Sequence, residues 1–215
     1  MSSPFPPEEL RQIIQEVANL LKDRKETISV AETAAGGLIS AALLSYPGAS
    51  SYYKGGLTLY TLESRIAFAG WTQDFIKSYS GPTPEIVAGL AEHTRKTLGS
   101  TYTVSESGTA GPTGGQTRNR WPGYVALAVA RDGGVTVTRE VETGLDGDRE
   151  GNMLQRGGYT IFYKATVELR RADDRVESKV QPLIPPESFT HTWPQRSGVS
   201  VRSALSSFIT VVGPP

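Results

Sequence analysis

Cysteine is absent from the 215-residue sequence, and histidine occurs only at His93 and His191. Without cysteine there is no disulfide, no thiolate nucleophile and no cysteine-based zinc site, and two histidines are too few for a histidine-based metal centre. Lys plus Arg and Asp plus Glu number 22 each, so neither charge is in excess. This balance gives no electrostatic footprint for nucleic acid or an anionic membrane. We therefore expect no metal, no nucleic-acid partner and no membrane partner.

Long apolar runs are also missing from the sequence. No stretch approaches the roughly 20 apolar residues that a membrane-spanning helix needs. The first nine residues contain neither a basic region nor an apolar core, so they do not match a secretory or transit signal. Together with the lack of cysteine, these features predict a soluble, cytoplasmic protein.

The hydrophobic periodicity predicts alternating helices and strands. Apolar residues at helical spacing predict an amphipathic helix over residues 8–22. The other predicted elements are a strand at Thr27–Ala31, a helix at Leu38–Ser45, a strand at Leu57–Tyr60, two short helices flanking Gly70, a helix between Thr83 and Gly99, a strand at Thr101–Glu106, and a hairpin of strands at Gly123–Arg131 and Val135–Glu142. This order predicts a three-layer α/β/α sandwich on a mixed, mostly parallel sheet.

The character of the sequence changes after about residue 152. From Tyr159 to Leu169, apolar residues alternate with other residues in the period of two that is typical of a strand. Beyond Ala172, proline and serine are frequent, so residues 173–215 are predicted to be a disordered tail. The predicted domain therefore covers residues 1–172.

The first of two glycine-rich segments is the turn Glu32–Gly37, between a predicted strand and a predicted helix. Such a turn presents free backbone N–H groups to an anion, and the paired Gly36 and Gly37 allow a ligand to approach the backbone. The Thr33 hydroxyl can bond a phosphate or attack an electrophile. Glu32 can orient a hydroxyl, bond a ribose or cap the helix. The alternative is that Thr33 is only a cap and the glycine pair only a packing contact.

The second segment is Ser107–Gly115, which holds four glycines, three hydroxyl residues and one proline in nine positions. Long loops in compact domains are usually functional or disordered, and the amides of this one can form an anion nest. The alternative is a mobile surface loop. Arg149, in a turn after a predicted strand, is the best placed cation for a phosphate. The two segments together predict a site for a small, phosphorylated ligand.

Several segments in the same order resemble the CinA carboxy-terminal domain family. They are Val30–Gly37, Tyr46–Ser50, Lys54–Tyr60, Ser107–Gly115, Pro122–Val125 and Gly147–Arg149. The characterised bacterial members are nicotinamide-nucleotide amidases. The resemblance implies hydrolysis of the carboxamide of nicotinamide mononucleotide, which gives nicotinate mononucleotide and ammonia. It also implies a three-layer α/β/α fold, a homodimer, and no metal or organic cofactor.

The resemblance implies catalytic roles for four residues. Thr33 stands where the family carries a nucleophilic serine, and Ser107 stands where it carries a threonine. Arg65 stands at the position of a lysine that can activate the nucleophile, but arginine stays protonated at neutral pH and cannot act as a general base. Tyr60 or a water would then assist Thr33. The residues implied in ligand binding are Glu32, Gly36, Gly37, Gly111, Gly114, Gly115 and Arg149.

Three functions stay open at this stage. The first is an amidase whose rate is lowered by the changed base position, since a positioned base contributes roughly 10²–10⁴-fold to the rate. The second is a nucleotide-binding or regulatory protein on the same scaffold, and the third is an interaction protein that only retains the scaffold.

The closing segment also departs from the family, which has an amphipathic helix where residues 153–172 are predicted to form a strand.

Overall fold

The computed structural model describes residues 5–154. The predicted strand within residues 159–169 and the predicted tail at residues 173–215 lie outside the described residues. In chain order the elements are α1 (Glu8–Arg24), β1 (Ile28–Glu32), α2 (Leu38–Leu44), β2 (Tyr53–Thr58), α3 (Leu62–Phe68), α4 (Gln73–Ser78), α5 (Pro84–Leu98), β3 (Tyr102–Gly108), β4 (Tyr124–Arg131), β5 (Val137–Glu142) and α6 (Arg149–Gly151). Residues 152–154 continue α6 as a helical turn. Met153 and Leu154, the first two residues of the strand predicted at residues 153–172, are therefore helical.

The five strands form one sheet in the order β2-β1-β3-β4-β5. β1 lies in the centre of a parallel group and pairs with both β2 and β3. β4 is antiparallel to β3 and to β5. Four of the five strands therefore run in one direction and β4 runs in the other, which confirms the predicted mixed sheet.

Helices cover both faces of this sheet. On one face, α1 and α2 bury apolar side chains against β1, β3 and β4; Val17, Ile39, Val30, Val104 and Leu127 belong to this core. On the other face, α5 packs Val87 and Ala91 against alanines of β4. All five residues of β1 are buried because both of its faces are covered. The three-layer α/β/α sandwich predicted from the sequence is confirmed.

The ends of α5 follow from its sequence. The Thr83 side chain accepts a hydrogen bond from the Ile86 amide at 3.3 Å, and Pro84 occupies the first helical turn, where its missing N–H is not needed. Gly99 ends the helix in the left-handed conformation, with φ of +60°. These signals are local, which is why the helix was predicted with nearly its observed limits.

The prediction for β2 was displaced toward the carboxyl terminus. The strand spans Tyr53–Thr58, whereas the sequence predicted Leu57–Tyr60. Gly55 and Gly56 obscured the strand because glycine is depleted in strands. A Cβ at Gly56 would lie 2.5 Å from Ser40 Oγ and 2.6 Å from Tyr53 Oη. Glycine therefore gives these two hydroxyls room against the strand.

Candidate functional site

The predicted site residues converge at one edge of the sheet. β1 ends at Glu32 and β3 ends at Gly108, and the two strands are parallel neighbours. The chain leaves β1 through α2 on one face and reaches β3 through α5 on the other. The gap between their carboxyl ends is therefore a topological switch point, the place where open α/β sheets bind ligands.

Two predicted catalytic hydroxyls meet at this switch point. Thr33 Oγ1 donates a hydrogen bond to Ser107 Oγ at 3.1 Å. Both residues are buried, with exposed fractions of 3% and 1%. The structure thus brings together the residues that stand at the family's serine and threonine positions, although they are 74 residues apart in the chain.

The Glu32 carboxylate is bonded to the start of α2. Its Oε2 accepts hydrogen bonds from the amides of Gly37 and Ile39 at 2.9 and 3.0 Å. Its Oε1 accepts from the Ser40 amide at 2.8 Å and from Ser40 Oγ at 2.5 Å. Glu32 is fully buried. Of the three roles considered for it from the sequence, the structure shows two: Glu32 caps α2 and orients a hydroxyl, that of Ser40.

Glu106 is a site residue that the sequence analysis missed. Its Oε1 accepts hydrogen bonds from the amides of Thr33 and Ala35 at 2.6 and 2.8 Å. Its Oε2 is buried and has no hydrogen-bond partner among the described residues. Burial raises the pKa of Glu106 to about 7, and the Glu32 charge adds to the rise. The backbone amides of Ala35, Thr33 and Ala34 act in the opposite direction. The available signal was a carboxylate at the end of a predicted strand, directly before the glycine-rich loop.

These contacts correct one expectation for the first turn. Three backbone amides of this turn, those of residues 33, 35 and 37, donate to Glu106 or Glu32. Two amides at the start of α2, those of residues 39 and 40, donate to Glu32 as well. The strand–turn–helix pattern predicted amides free to bind an anion, whereas these five are already bonded to carboxylates. The glycines serve the shape of the turn, because Gly36 and Gly37 have φ of +67° and +102°.

Tyr60, Gly111 and Arg149 are brought together at the same edge of the sheet, where they follow β2, β3 and β5. Arg149 Nη1 donates to the Gly111 carbonyl at 2.8 Å, and Arg149 Nη2 lies 3.5 Å from Tyr60 Oη. The Tyr60 side chain is largely exposed, and Arg149 is exposed as well. These three predicted residues come from three distant parts of the chain.

Gly114 and Gly115 pack against the helical turn at Arg118–Arg120 that follows the loop. The Gly115 amide donates to the Arg120 carbonyl at 2.8 Å. A Cβ at Gly114 would lie 2.6 Å from the same carbonyl oxygen, so glycine is required for this close approach. For Gly114 and Gly115 the structure therefore shows a role in closing the loop, and a contact with ligand stays a prediction.

Asn152 is a second residue that the sequence analysis missed. Its Nδ2 donates to the carbonyls of Ala110 and Asp146 at 2.9 and 2.8 Å, and its Oδ1 accepts from the Thr143 hydroxyl. Asn152 is buried. It therefore fastens the glycine loop to the turn that precedes Arg149. Its partners lie in loops and turns without a periodic sequence pattern, so no local signal indicated its role.

Arg65 is buried against two aromatic rings and the residue that follows β2. Its Nε donates to the Leu59 carbonyl at 3.2 Å, and its guanidinium carbon lies 5.0 Å from the Trp71 ring and 5.2 Å from the Tyr79 ring. The residue is 6% exposed. Within residues 5–154, its described contacts belong to this aromatic cluster rather than to Thr33.

Two kinds of feature, a metal-binding cluster and a membrane-spanning helix, are absent from residues 5–154. That part of the chain contains no group of three or more His, Cys, Asp or Glu residues arranged to hold a metal ion. None of its helices has the length and apolar character needed to cross a membrane.

Comparison with known proteins identifies the family. The sequence pattern of the CinA C-terminal domain matches residues 10–161, which is well over half of the chain. The chain belongs to the CinA C-terminal domain family. The CinA-like protein of Shewanella piezotolerans is 35% identical over 125 residues, and that of Koribacter versatilis is 37% identical over 143 residues. These matches cover 58% and 66% of this chain but 29% and 33% of the relatives. The chain therefore spans about a third of their length.

Solved structures of CinA proteins share the fold. The competence/damage inducible protein CihA of Agrobacterium tumefaciens aligns with a TM-score of 0.70 at 22% identity, covering 79% of this chain and 99% of that one. A CinA superfamily protein of Klebsiella pneumoniae aligns with a TM-score of 0.68 at 21% identity, covering 75% and 98%. At these identities the likeness supports the α/β sandwich of the CinA domain and nothing more specific.

Proposed function

We propose that this CinA domain hydrolyses the carboxamide of a nicotinamide nucleotide, with nicotinamide mononucleotide as the expected substrate. The observation that carries the proposal is the hydrogen bond from Thr33 Oγ1 to Ser107 Oγ at the topological switch point. A hydroxyl held by a second hydroxyl, in a buried position at the ends of two strands, is suited to covalent catalysis on an acyl group.

The chemistry proceeds in two steps. Thr33 Oγ1 attacks the carboxamide carbon, its proton passes to the departing nitrogen, and cleavage of the C–N bond releases ammonia and leaves an ester on Thr33. Water then cleaves the ester, which gives the carboxylate product and restores the Thr33 hydroxyl. Ser107 orients Thr33 in both steps, and Tyr60 or a bound water assists the proton transfers. Arg65 stays protonated and takes no part as a base.

Arg149 is the expected anchor for the phosphate of the nucleotide. Its guanidinium is exposed, and one of its nitrogens is held by the Gly111 carbonyl at 2.8 Å. A guanidinium offers several parallel donors, which suits the charge-assisted hydrogen bonds of a phosphate. The exposed Tyr60 ring beside it offers a flat surface for the base.

Ammonia release tests this function. Incubation of the chain with nicotinamide mononucleotide is expected to release ammonia, and Thr33→Ala is expected to abolish the release because it removes the nucleophile. Thr97→Ala removes an exposed hydroxyl near the end of α5, which leads to the amino end of β3 at the opposite edge of the sheet. It is the matched control, with an unchanged rate. Absence of ammonia above background at high protein concentration contradicts the amidase.

A second candidate is a nucleotide-binding protein without turnover. It is favoured by the position of Arg65, which is buried against Trp71 and Tyr79 where the family carries an activating lysine. This candidate predicts that nicotinamide mononucleotide raises the melting temperature without any ammonia release. If saturating nucleotide leaves the melting temperature unchanged, nucleotide binding is contradicted as well.

We also propose a homodimer, a cytoplasmic location, a domain that extends to residue 172 and catalysis without an organic cofactor. Each follows from the resemblance or from composition, and none enters the catalytic steps above.

A further inference from the structure

We propose that Glu106 is a positioning residue that holds the Thr33 backbone and changes the strength of that hold when its carboxyl gains or loses a proton. The part of this proposal that concerns turnover rests on the proposed function. The part that concerns the turn rests on the contacts of Glu106 alone.

Two consecutive residues of β3 grip Thr33 from opposite faces of the sheet. Glu106 pairs with Leu127 of β4, whose side chain belongs to the core under α1 and α2. Ser107 follows it and therefore points to the other face, toward α5. Glu106 Oε1 accepts a hydrogen bond from the Thr33 amide, and Ser107 Oγ accepts one from the Thr33 hydroxyl. Glu106 thus fixes the backbone from which the hydroxyl is presented.

The second oxygen of Glu106 is what makes the group sensitive to protonation. Glu106 is 1% exposed, and its Oε2 has no hydrogen-bond partner among the described residues. An ionised carboxylate with a bare, buried oxygen is costly, so the proton is retained to a higher pH than usual. The pKa of Glu106 is accordingly raised to about 7.

Glu32 is the ionisable neighbour whose charge acts on Glu106. On β1 the neighbouring ionisable group is Glu32, whose negative charge adds to the rise in the pKa. The turn at residues 33–37 carries no ionisable side chain, and the partner on β4 is Leu127. The face under α1 and α2 is an apolar core. Besides burial, the groups that set the pKa of Glu106 are therefore the Glu32 carboxylate and backbone amides.

Ionisation strengthens the hold on Thr33. Hydrogen bonds to a charged acceptor are shorter and roughly twice as strong as neutral ones. The amides of Thr33 and Ala35 are therefore held more firmly above neutral pH, where Glu106 is ionised. On this basis we expect ammonia release to increase as the pH rises through about 7, through kcat rather than KM.

Nuclear magnetic resonance on the full 215-residue chain tests the positioning directly. The amide protons of Thr33 and Ala35 are expected to move downfield together between pH 5.5 and 8.5, with one midpoint near 7. The shift is expected to vanish in Glu106→Gln, which keeps an oxygen acceptor but cannot ionise. Glu26→Gln alters a partly buried carboxylate just before β1 and is the matched control, with the titration intact.

The outcomes separate this proposal from the proposed function. Amide protons that do not titrate in the wild type, or that still titrate in Glu106→Gln, overturn the proposal. If Glu106→Gln fails to fold, the carboxyl carbon of Glu106 in the wild-type chain must titrate with the same midpoint as the two amides. If the two amide protons titrate but no ammonia is released, the proposed amidase function is contradicted and the positioning role of Glu106 is supported. Ammonia release with the same pH profile in wild type and Glu106→Gln overturns the role in turnover.

Discussion

At the scale of single residues, Glu106 links stability to pH. Its pKa in the folded chain is about 7, against 4.5 for an exposed glutamate, so the folded chain binds this proton more tightly than the unfolded chain. The contribution to stability is therefore fully present below about pH 4.5 and is lost as the pH rises through about 7. The difference corresponds to roughly 3 kcal/mol.

We expect the free energy of unfolding to fall between pH 5 and pH 8, and urea denaturation at several pH values measures it. Glu106→Gln removes the titrating group, so its curve is expected to be flatter than that of the wild type. The difference between the two curves isolates Glu106 from the other ionisable groups. Equal slopes for the two proteins contradict the assignment of this proton to Glu106.

The two buried carboxylates that hold the first turn differ in how they use their oxygens. Glu32 accepts hydrogen bonds on both oxygens, whereas Glu106 accepts on one. In Glu32→Gln the new NH₂ group must face backbone N–H donors, because glutamine has only one acceptor oxygen. We expect Glu32→Gln to lower the free energy of unfolding by about 2–4 kcal/mol.

Glu106→Gln is the matched control for this change, because its amide nitrogen can occupy the side of the carboxyl without donors. It is expected to cost less than Glu32→Gln at pH 6, as measured by chemical denaturation. Equal losses in the two variants contradict the interpretation that Glu32 caps α2 through both oxygens.

At the scale of elements, Gly56 in β2 shows how side-chain packing determines which residue a strand position can hold. Ser40 Oγ is held by Glu32 at 2.5 Å and lies against the backbone of Gly56. An alanine at this position must displace a hydroxyl that is already bonded. We therefore expect Gly56→Ala to destabilise the protein by about 1–3 kcal/mol.

Gly89→Ala is the control for this prediction. Gly89 lies inside α5, and a Cβ there meets nothing within 4 Å. Alanine in a helix interior is favoured over glycine by up to about 1 kcal/mol, so this variant is expected to be at least as stable as the wild type. Thermal denaturation compares the two, and a stable Gly56→Ala contradicts the packing role.

The elements also show what the sequence could predict. α1 and α5 were predicted nearly to the residue because apolar periodicity, Thr83 and Gly99 are local signals. Thr33 and Ser107 were predicted because glycine-rich turns and the family resemblance marked them. Glu106 was missed because its partners lie more than 70 residues away in the chain, and only the pairing of β1 with β3 brings them together. Asn152 was missed because its partners lie in loops and turns that have no periodic pattern.

At the scale of the whole molecule, strand direction assembles the site. β1, β3 and β5 run the same way, so the turn after β1, the loop after β3 and the turn after β5 all lie at one edge of the sheet. The reversed direction of β4 is what returns the chain from that edge as a hairpin. The mixed sheet therefore gathers three distant segments, which carry Thr33, Gly111 and Arg149.

The contacts of Glu32 and Glu106 have a consequence for how a ligand enters this site. The turn at residues 33–37 and the first turn of α2 are held by the protein's own carboxylates, so this part of the proposed site is formed before any ligand arrives. We therefore expect the proposed nucleotide to lose no affinity to the ordering of this turn, because its conformational entropy has already been lost during folding. We expect selectivity between ligands to depend instead on the exposed side chains of Arg149 and Tyr60.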